Sequence, residues 1–200
     1  MRDAHATRER ILGAAKTEFA RHGLAGARVD RIAAAARANK AQIYAYVGDK
    51  AALFDTVYDR ALRDLVETVV LDPHDLPGYA VALYDAWVED PDRVRLATWA
   101  RLERTPTGHL VDEEQREVAY GEDAIRQAQA DGALPGDLAP LDLQALVVGM
   151  SLAWAPSSLV WVAAPDDPGH AERRRALADA VARVVSREAG PTRRPGASSP

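Results

Sequence analysis

The chain has 200 residues, of which 48% are apolar, so it is long enough and hydrophobic enough to bury a substantial core. It contains no cysteine, which excludes disulfide bonds, cysteine-ligated zinc and thiol nucleophiles. The net charge of −5 is unevenly spread, since the first 63 residues hold 12 Lys or Arg against 7 Asp or Glu and the remainder hold 13 against 23. This asymmetry is expected of a protein that meets phosphate at one end only.

The first helix is predicted over residues 7–22, after a short arm formed by residues 1–6. Thr7 can cap this helix, and Glu9 lies favourably in its first turn. One face carries apolar side chains at helical spacing, namely Ile11, Leu12, Ala15 and Phe19. Gly23 follows as a residue that readily ends a helix, so the segment predicts a helix that packs by one face.

Two shorter helices follow, and a three-residue turn separates them. Their apolar positions are Val29, Ile32, Ala33 and Ala36 in the first and Ile43 and Val47 in the second. Residues 37–39 are too few to form anything but a turn, and Asn39 can cap the helix that starts at Lys40. The outward face of the second helix carries Lys40, Gln42, Tyr44 and Tyr46. Such a face suits a helix in the major groove of DNA, so the pattern predicts a helix-turn-helix.

The remaining chain predicts helices only. A long fourth helix begins at Lys50, with Asp49 as its N-cap, and runs to about residue 70. Further helices are predicted at 79–89, 91–104, 111–130, 141–164 and 171–188. The fold class is therefore all-α with about nine helices. The chain divides into a three-helix DNA-binding domain over residues 1–49, a larger helical domain over 50–188 and a disordered tail over 189–200.

Residues 143–165 form a run without any charged side chain, which is long enough to span a membrane. Against a membrane span, Pro156 interrupts the run, and acidic residues flank it without Lys or Arg. A helix buried between two subunits explains the run better. Together with the helix at 171–188, it would form a four-helix interface in a homodimer.

Several large side chains of the second domain could line a pocket for a small molecule, because such pockets are mostly apolar with a few polar groups. They are Tyr84, Trp87, Trp99, Tyr120, Met150 and Trp154. For each of them taken singly, a place in the ordinary core is the alternative. The five histidines are scattered without metal-ligand spacing, and no catalytic constellation is present. The sequence therefore predicts no metal, no cofactor and no enzymatic activity.

The stretch from Arg28 to Phe54 closely resembles the DNA-binding domain of TetR-family transcriptional regulators. The matching features are the V-x-x-I-A-x-x-A pattern from Val29 to Ala36, then Lys40, Tyr44 and Tyr46, and the D-K-x-x-L-F run from Asp49 to Phe54. The length and the number of helices are also similar to that family. The resemblance is specific over about the first sixty residues and architectural beyond them.

The resemblance implies a homodimer that places two recognition helices in successive major grooves of a palindromic operator. It also implies that residues 50–188 bind a small-molecule effector, which changes the spacing of the two DNA-binding domains. Carried over by position, the DNA-binding residues are Arg28, Asn39, Lys40, Ala41, Gln42, Tyr44, Tyr46 and Lys50. Two positions depart from the family, since Arg28 stands where a capping Thr or Ser is usual and Arg37 stands where Gly is favoured.

The functional hypothesis is a ligand-responsive, DNA-binding repressor that acts as a homodimer. A cytoplasmic location is expected, because the N-terminus lacks the apolar core and cleavage site of a signal peptide. One alternative is a small α-helical enzyme or ligand carrier that uses the same apolar pocket. A second alternative is a membrane-tethered helical protein. Binding to DNA separates the hypothesis from the first alternative, and cell fractionation separates it from the second.

Overall fold

A computed structural model describes residues 2–186 of the chain. Those residues form ten α-helices and one 3-10 turn, and no strand. The helices are α1 (Arg2–Gly26), α2 (Val29–Ala36), α3 (Lys40–Val47), α4 (Lys50–Thr68), α5 (Leu76–Glu89), α6 (Pro91–Glu103), α7 (Arg116–Tyr120), α8 (Glu122–Ala130), α9 (Pro140–Ser151) and α10 (His170–Val185), with the 3-10 turn at Glu113–Gln115. The all-α fold class is confirmed over this range, and the tail expected at 189–200 lies outside it.

Helix α1 begins at Arg2, so the expected arm is helical from its second residue. No proline or glycine lies between residues 2 and 12, and alanine at positions 4 and 6 favours the helix. Near its other end, α1 is kinked at Gly23, whose φ of 66° and ψ of −177° are essentially restricted to glycine. The kink lies where the sequence predicts the end of the helix, and it redirects the chain towards α2.

The first hydrophobic core joins α1, α2 and α3 to α4 and to one face of α6. Its largest fully buried side chains are Ile11, Phe19, Ile32, Ile43, Leu53, Phe54 and Leu96. The rings of Phe19 and Phe54 meet edge to face with centroids 5.2 Å apart. Because α4 and α6 supply part of this core, helix α3 stands on a body that extends beyond residue 49.

The second hydrophobic core lies among α5, α8, α9 and α10. Leu143 and Val147 lie one turn apart on α9, and Leu177 and Val181 do the same on α10, so each helix buries one stripe. Leu65, near the end of α4, packs against this second core, whereas the start of α4 belongs to the first. Helix α4 therefore spans both cores and can transmit a displacement from one to the other.

The single helix expected at 111–130 is wrong, because the chain there forms the 3-10 turn, α7 and α8. Gly121 separates α7 from α8 with a left-handed φ of 61°. A Cβ at this glycine would lie 2.0 Å from Cδ2 of Leu71, so the close approach of Leu71 requires glycine. The break leaves α7 as a short cover over the side of α4.

The helix expected at 141–164 ends at Ser151, so the prediction is wrong for its second half. Residues 152–169 form turns and extended segments instead. Pro156 lacks a backbone donor and the serines at 157 and 158 favour turns, which explains the interruption. Leu159 and Val160 are fully exposed within this segment. No helix within residues 2–186 is long and apolar enough to cross a membrane.

Candidate nucleic-acid interface and ligand cavity

Two backbone hydrogen bonds close the turn between α2 and α3. The N–H of Ala38 donates to the carbonyl oxygen of Ala33 at 3.0 Å, and the N–H of Arg37 donates to that of Ala34 at 3.2 Å. This pairing is a Schellman motif, which requires a left-handed residue after the helix. Arg37 takes that conformation, with φ 51° and ψ 45°, and no other non-glycine residue between 2 and 186 has a positive φ. The departure at Arg37 is therefore an uncommon backbone conformation at a position where glycine would be relaxed.

Helix α2 has no side-chain cap at Arg28, and a carboxylate from α1 takes that role. Oε1 of Glu18 accepts hydrogen bonds from the Arg28 N–H and from Nε of Arg31, each at 2.8 Å. An anion at the N-terminus of a helix is stabilising. Burial alone would raise the pKa of the Glu18 carboxyl, but the hydrogen bonds from Arg31 and Arg28 outweigh it and lower this pKa below its ordinary value. Glu18 is therefore charged at neutral pH and fixes α2 against α1.

Helix α3 begins with a capping box. Oδ1 of Asn39 accepts from the Gln42 N–H at 2.8 Å, and Oε1 of Gln42 accepts from the Asn39 N–H at 3.0 Å. The N-cap predicted at Asn39 is confirmed. The box occupies the side-chain oxygen of Gln42, whereas bidentate recognition of adenine uses both the oxygen and the NH₂ group. Recognition of adenine by both groups therefore requires this bond to open.

The remainder of the α3 surface is exposed. Lys40 forms an ion pair with Asp30 of α2, with Nζ and Oδ1 2.8 Å apart, and this hydrogen bond raises the pKa of Lys40. Tyr44 and Tyr46 expose 45% and 39% of their surfaces, so neither packs beneath the helix. Ala41 is also exposed. The helix thus presents one cation, two phenols and a carboxamide to the outside, and Asp30 holds the cation in place.

Lys50 and Arg28 differ in how their charges are held. Nζ of Lys50 donates to the carbonyl oxygens of Ala25 and Ala27 at 3.3 and 3.2 Å, which ties the start of α4 to the loop before α2. Since an ammonium has three donors, one remains for an anion. The exposed guanidinium of Arg28 makes no hydrogen bond or ion pair within residues 2–186.

Helix α6 holds the kinked end of α1. Nε1 of Trp99 donates to the carbonyl oxygen of Ala20 at 3.3 Å, and a Cβ at Gly23 would lie 2.7 Å from Cε3 of the same indole. Oε2 of Glu103 accepts from the N–H groups of Leu24 and Ala25 at 2.6 and 3.2 Å. A movement of α6 would therefore displace the segment of α1 that leads into the helix-turn-helix.

Ion pairs next to the two ends of α6 join it to α1 and to α4. Asp90, which directly precedes α6, pairs with Lys16 of α1 and lies 3.0 Å from Nε of Arg93, measured at Oδ2. At the other end, Nη2 of Arg104 contacts both carboxylate oxygens of Asp55 on α4, at 2.9 and 2.7 Å. The Asp90 pairs are partly buried and the Arg104–Asp55 pair is exposed, and together they specify how α6 docks.

A cavity of about 160 Å³ lies between α4, α5, α6, α7 and α9. Its wall is mostly apolar, with Ala61, Leu62, Leu65, Val66, Val69, Leu83, Ala97, Ala119 and Val148. The polar groups in the wall belong to Tyr58, Tyr79, Trp87, Arg93 and Tyr120. Burial raises the pKa of Tyr58 to about 12, so its phenol stays protonated at neutral pH.

Two of the six predicted pocket residues, Trp87 and Tyr120, line this cavity. The other four, Tyr84, Trp99, Met150 and Trp154, do not. Tyr84 lies in the second core, edge to face with Trp154 at 5.7 Å between centroids, and Met150 packs against the same core. Trp99 lies against α1 in the first core. Composition alone does not reveal which face of a helix meets the cavity, so the sequence does not separate the residues that line it from those of the core.

Sequence patterns do not indicate three side chains that contribute to these sites, namely Glu18, Asp30 and Arg93. Glu18 reaches a partner thirteen residues away on another helix, so no local pattern reveals it. Arg93 is one of several arginines on α6, and only the packing shows that it meets the cavity. Within residues 2–186, no cluster of three or more His, Asp or Glu side chains could hold a metal ion.

Comparison with known proteins identifies both parts of the chain. Residues 11–57 match the sequence model described as bacterial regulatory proteins of the tetR family. Residues 75–183 match the model described as a tetracyclin repressor-like C-terminal domain. The HTH-type transcriptional repressor SCO4008 of Streptomyces coelicolor is 39% identical over 191 residues, which cover 93% of this chain and 98% of that protein.

Solved structures agree with this comparison. The crystal structure of SCO4942 from Streptomyces coelicolor, described as a transcriptional regulator, is 42% identical, with a TM-score of 0.76 over 91% of this chain and 99% of that one. GusR from Salmonella enterica is 18% identical, with a TM-score of 0.63 over 90% of this chain and 95% of that one. At this lower identity, the similarity to GusR supports the fold alone.

Proposed function

Because this chain belongs to the TetR family of DNA-binding transcriptional regulators, we propose that it is a repressor released from DNA by a small-molecule effector. It binds a palindromic operator as a homodimer, and each subunit places α3 in one major groove. SCO4008 is named a transcriptional repressor and SCO4942 a transcriptional regulator, and proteins of this kind are not enzymes. The protein acts on the chromosome and therefore in the cytoplasm.

The main support for this proposal is the exposed polar surface of α3. Its capping box fixes the start of the helix, and Schellman geometry fixes the turn before it, so the polar groups are presented on a rigid element. Lys40 and Gln42 contact base edges, Lys40 favouring guanine and Gln42 favouring adenine once its oxygen leaves the capping box. The other proposed DNA contacts are Arg28, Asn39, Ala41, Tyr44, Tyr46 and Lys50, which meet the phosphates or the edges of the groove.

The test uses DNA that flanks the gene of this protein, with binding measured by fluorescence anisotropy and mapped by footprinting. The double variant Lys40→Ala, Gln42→Ala should lose specific binding, since good base contacts are each worth about 1–3 kcal/mol. Arg126→Ala, which removes an exposed cation on α8, is the matched control and should bind normally. If the double variant protects the same site as the wild type, α3 is not the recognition helix.

Gln42→Ala also removes half of the capping box, so a second variant separates recognition from helix stability. Gln42→Glu keeps an oxygen that can accept from the Asn39 N–H but loses the NH₂ group and adds a negative charge. It should preserve the helix content by circular dichroism and still lose operator binding. Normal binding by Gln42→Glu would show that Gln42 makes no base contact.

We infer that the homodimer forms through α9 and α10. Leu146 on α9 and Val184 on α10 are exposed large apolar residues, and Leu159 and Val160 are exposed in the segment between the two helices. Exposed apolar side chains on two helices that pack against each other are typical of a surface that another chain covers. Leu146→Asp with Val184→Asp should yield monomers in light scattering. A variant that remains dimeric would place the interface elsewhere.

The cavity beside α4 is the proposed effector site, because its wall reaches both α4 and α6. Helix α4 joins the two cores, and α6 holds α1 through Trp99 and Glu103. A bound molecule that displaces α4 or α6 changes the distance between the α3 helices of the two subunits. An effector should therefore lower operator affinity without dissociating the dimer, as measured by anisotropy and light scattering on the same sample.

A further inference from the structure

We propose that the cavity of about 160 Å³ between α4, α5, α6, α7 and α9 binds an apolar molecule that carries one carboxylate group, and that Arg93 pairs with this carboxylate. The inference rests on the proposed function, in which this cavity is the effector site. It goes further by naming the chemical class of the effector and the residue that selects it.

The charge of the cavity wall supports an anionic ligand. Fourteen residues line the cavity, and Arg93 is the one charged residue among them. No carboxylate is present in the wall. Asp90, just outside the wall, lies against Arg93 but also pairs with Lys16, so this cluster of two cations and one carboxylate keeps a net positive charge. An anion in the cavity would be attracted to it, whereas a further cation would be repelled.

Several N–H groups of the Arg93 guanidinium have no hydrogen-bond acceptor in the part of the chain that the structure describes. Its side chain is 18% exposed, and its one ionic partner is Asp90, 3.0 Å from Nε. That contact lacks hydrogen-bond geometry, and Nε is buried without an acceptor. Within residues 2–186, the other guanidinium nitrogens of Arg93 make no hydrogen bond either. A carboxylate can accept two parallel hydrogen bonds from such a group, which favours it over a neutral carbonyl.

The phenols of the wall add further donors. Tyr79 accepts a hydrogen bond from Nε2 of the buried Gln144 at 3.1 Å, so its own proton remains available to another acceptor. The hydroxyls of Tyr58 and Tyr120 make no hydrogen bond within residues 2–186. Since Tyr58 remains protonated at neutral pH, it too can donate to an anion. The indole N–H of Trp87 is already donated to Oγ of Ser151 at 2.9 Å, so the donors that remain for a ligand are those of Arg93 and the three phenols.

The dimensions of the cavity limit the apolar part of the ligand. A volume of about 160 Å³ is close to that of a cavity of about 150 Å³ that holds benzene. A neighbouring cavity of about 280 Å³ lies on the other side of Leu62, Val66 and Ala119, which line both. The size and shape fit a carboxylic acid with a single ring or a medium-length alkyl chain.

The test compares head groups on one apolar chain. Octanoate, octanamide and octylamine are titrated into the full-length protein by isothermal calorimetry, with 3-phenylpropionate as a second carboxylate. We expect a carboxylate to bind at least about tenfold more tightly than the amide and the amine, since charge-assisted pairing to Arg is roughly twice as strong as a neutral hydrogen bond. The same carboxylate should release operator DNA in the anisotropy assay.

Arg93→Gln should weaken carboxylate binding about tenfold or more. The matched control is Arg95→Gln, since Arg95 lies on the same helix but is exposed and paired with Asp92. Because the head-group comparison uses the wild-type protein, it remains decisive even if Arg93→Gln fails to fold.

Equal or tighter binding of the amide or the amine would overturn the inference, as would the failure of both carboxylates to bind. Unchanged carboxylate affinity in Arg93→Gln would also overturn it. If the amine releases DNA, the proposed function stands and only the ligand class is wrong. If the protein binds no DNA at low salt, the proposed function itself fails.

Discussion

Gly23 and Trp99 are packed so closely that a single methyl group does not fit between them. A Cβ at Gly23 would lie 2.7 Å from Cε3 of the indole and 2.9 Å from Oε1 of Glu103. The backbone at Gly23 also has a φ of 66°, which disfavours any side chain. This contact joins the kinked end of α1 to α6, and hence the DNA-binding part to the helix beside the cavity.

Gly23→Ala should therefore destabilise the protein. The backbone conformation alone costs about 1–3 kcal/mol for a non-glycine residue, and the collision with Trp99 adds to this cost. The measurement is the free energy of unfolding in urea. Gly13→Ala on the same helix is the control, because nothing lies within 4 Å of its Cβ and it should stabilise the helix by about 0.5–1 kcal/mol. Equal stability of the two variants would contradict the packing seen here.

Arg37→Gly should stabilise the helix-turn-helix. Arg37 adopts a left-handed conformation, which costs an ordinary residue about 1–2 kcal/mol and glycine very little. Glycine gains entropy in the unfolded chain, so we expect a net increase of about 1 kcal/mol or less in the free energy of unfolding. Arg37→Ala keeps the strain and serves as the control. A stabilising Arg37→Ala would show that loss of charge, rather than relief of strain, is responsible.

The pKa of Glu18 predicts how stability depends on pH. This pKa is lowered in the folded protein by hydrogen bonds from Arg31 and from the Arg28 N–H, which outweigh the effect of burial. The carboxylate therefore adds stability above the unfolded pKa of about 4.3, and this part is lost as the pH falls through the folded pKa. Glu18→Gln should unfold more easily at pH 7 and lose less of its stability than the wild type between pH 5 and pH 3.

Glu172→Gln, on exposed α10 surface, is the control for the pH experiment. It should follow the wild-type profile at every pH. If the free energy of unfolding of Glu18→Gln falls in parallel with that of the wild type between pH 5 and pH 3, the Glu18 carboxylate does not stabilise the start of α2.

Asp30→Asn should increase DNA affinity. Asp30 pairs with Lys40 at 2.8 Å and competes with phosphate or base acceptors for its ammonium. Such surface pairs are worth about 0–1 kcal/mol, so affinity at low salt should rise up to about fivefold. Asp123→Asn on α8 makes the same charge change in another exposed ion pair and should have a smaller effect. Weaker binding by Asp30→Asn would mean that Asp30 orients Lys40 for DNA rather than restraining it.

Local features of the DNA-binding part were predictable from the sequence. The apolar spacing of Val29, Ile32 and Ala36 predicts α2, and the structure buries all three side chains. Asn39 was predictable as an N-cap because capping depends on residues only three apart. The departures at Arg28 and Arg37 were also visible, but the sequence did not reveal that Glu18 replaces the missing cap.

The second domain was less predictable, because α9 carries apolar residues such as Leu146 outside its buried stripe as well as within it. The uncharged run at 143–165 predicts a helix that Pro156 kinks or interrupts, but the helix already ends at Ser151 and the chain continues as a loop. Four of the six proposed pocket residues lie away from the cavity. Leu83 and Tyr84 are adjacent apolar positions of the same predicted helix, yet only Leu83 lines the cavity.

The sequence by itself determined the all-α class, the helix-turn-helix and the family, because these depend on periodicity and on motifs of nearby residues. The tertiary structure alone decided which side chains meet across helices: Glu18 with Arg31, Trp99 with Gly23, and Arg93 with the cavity wall. Contacts of this second kind join distant positions through packing, and no local pattern in a single sequence encodes them. The proposed route from the cavity to the recognition helix is built entirely from such contacts.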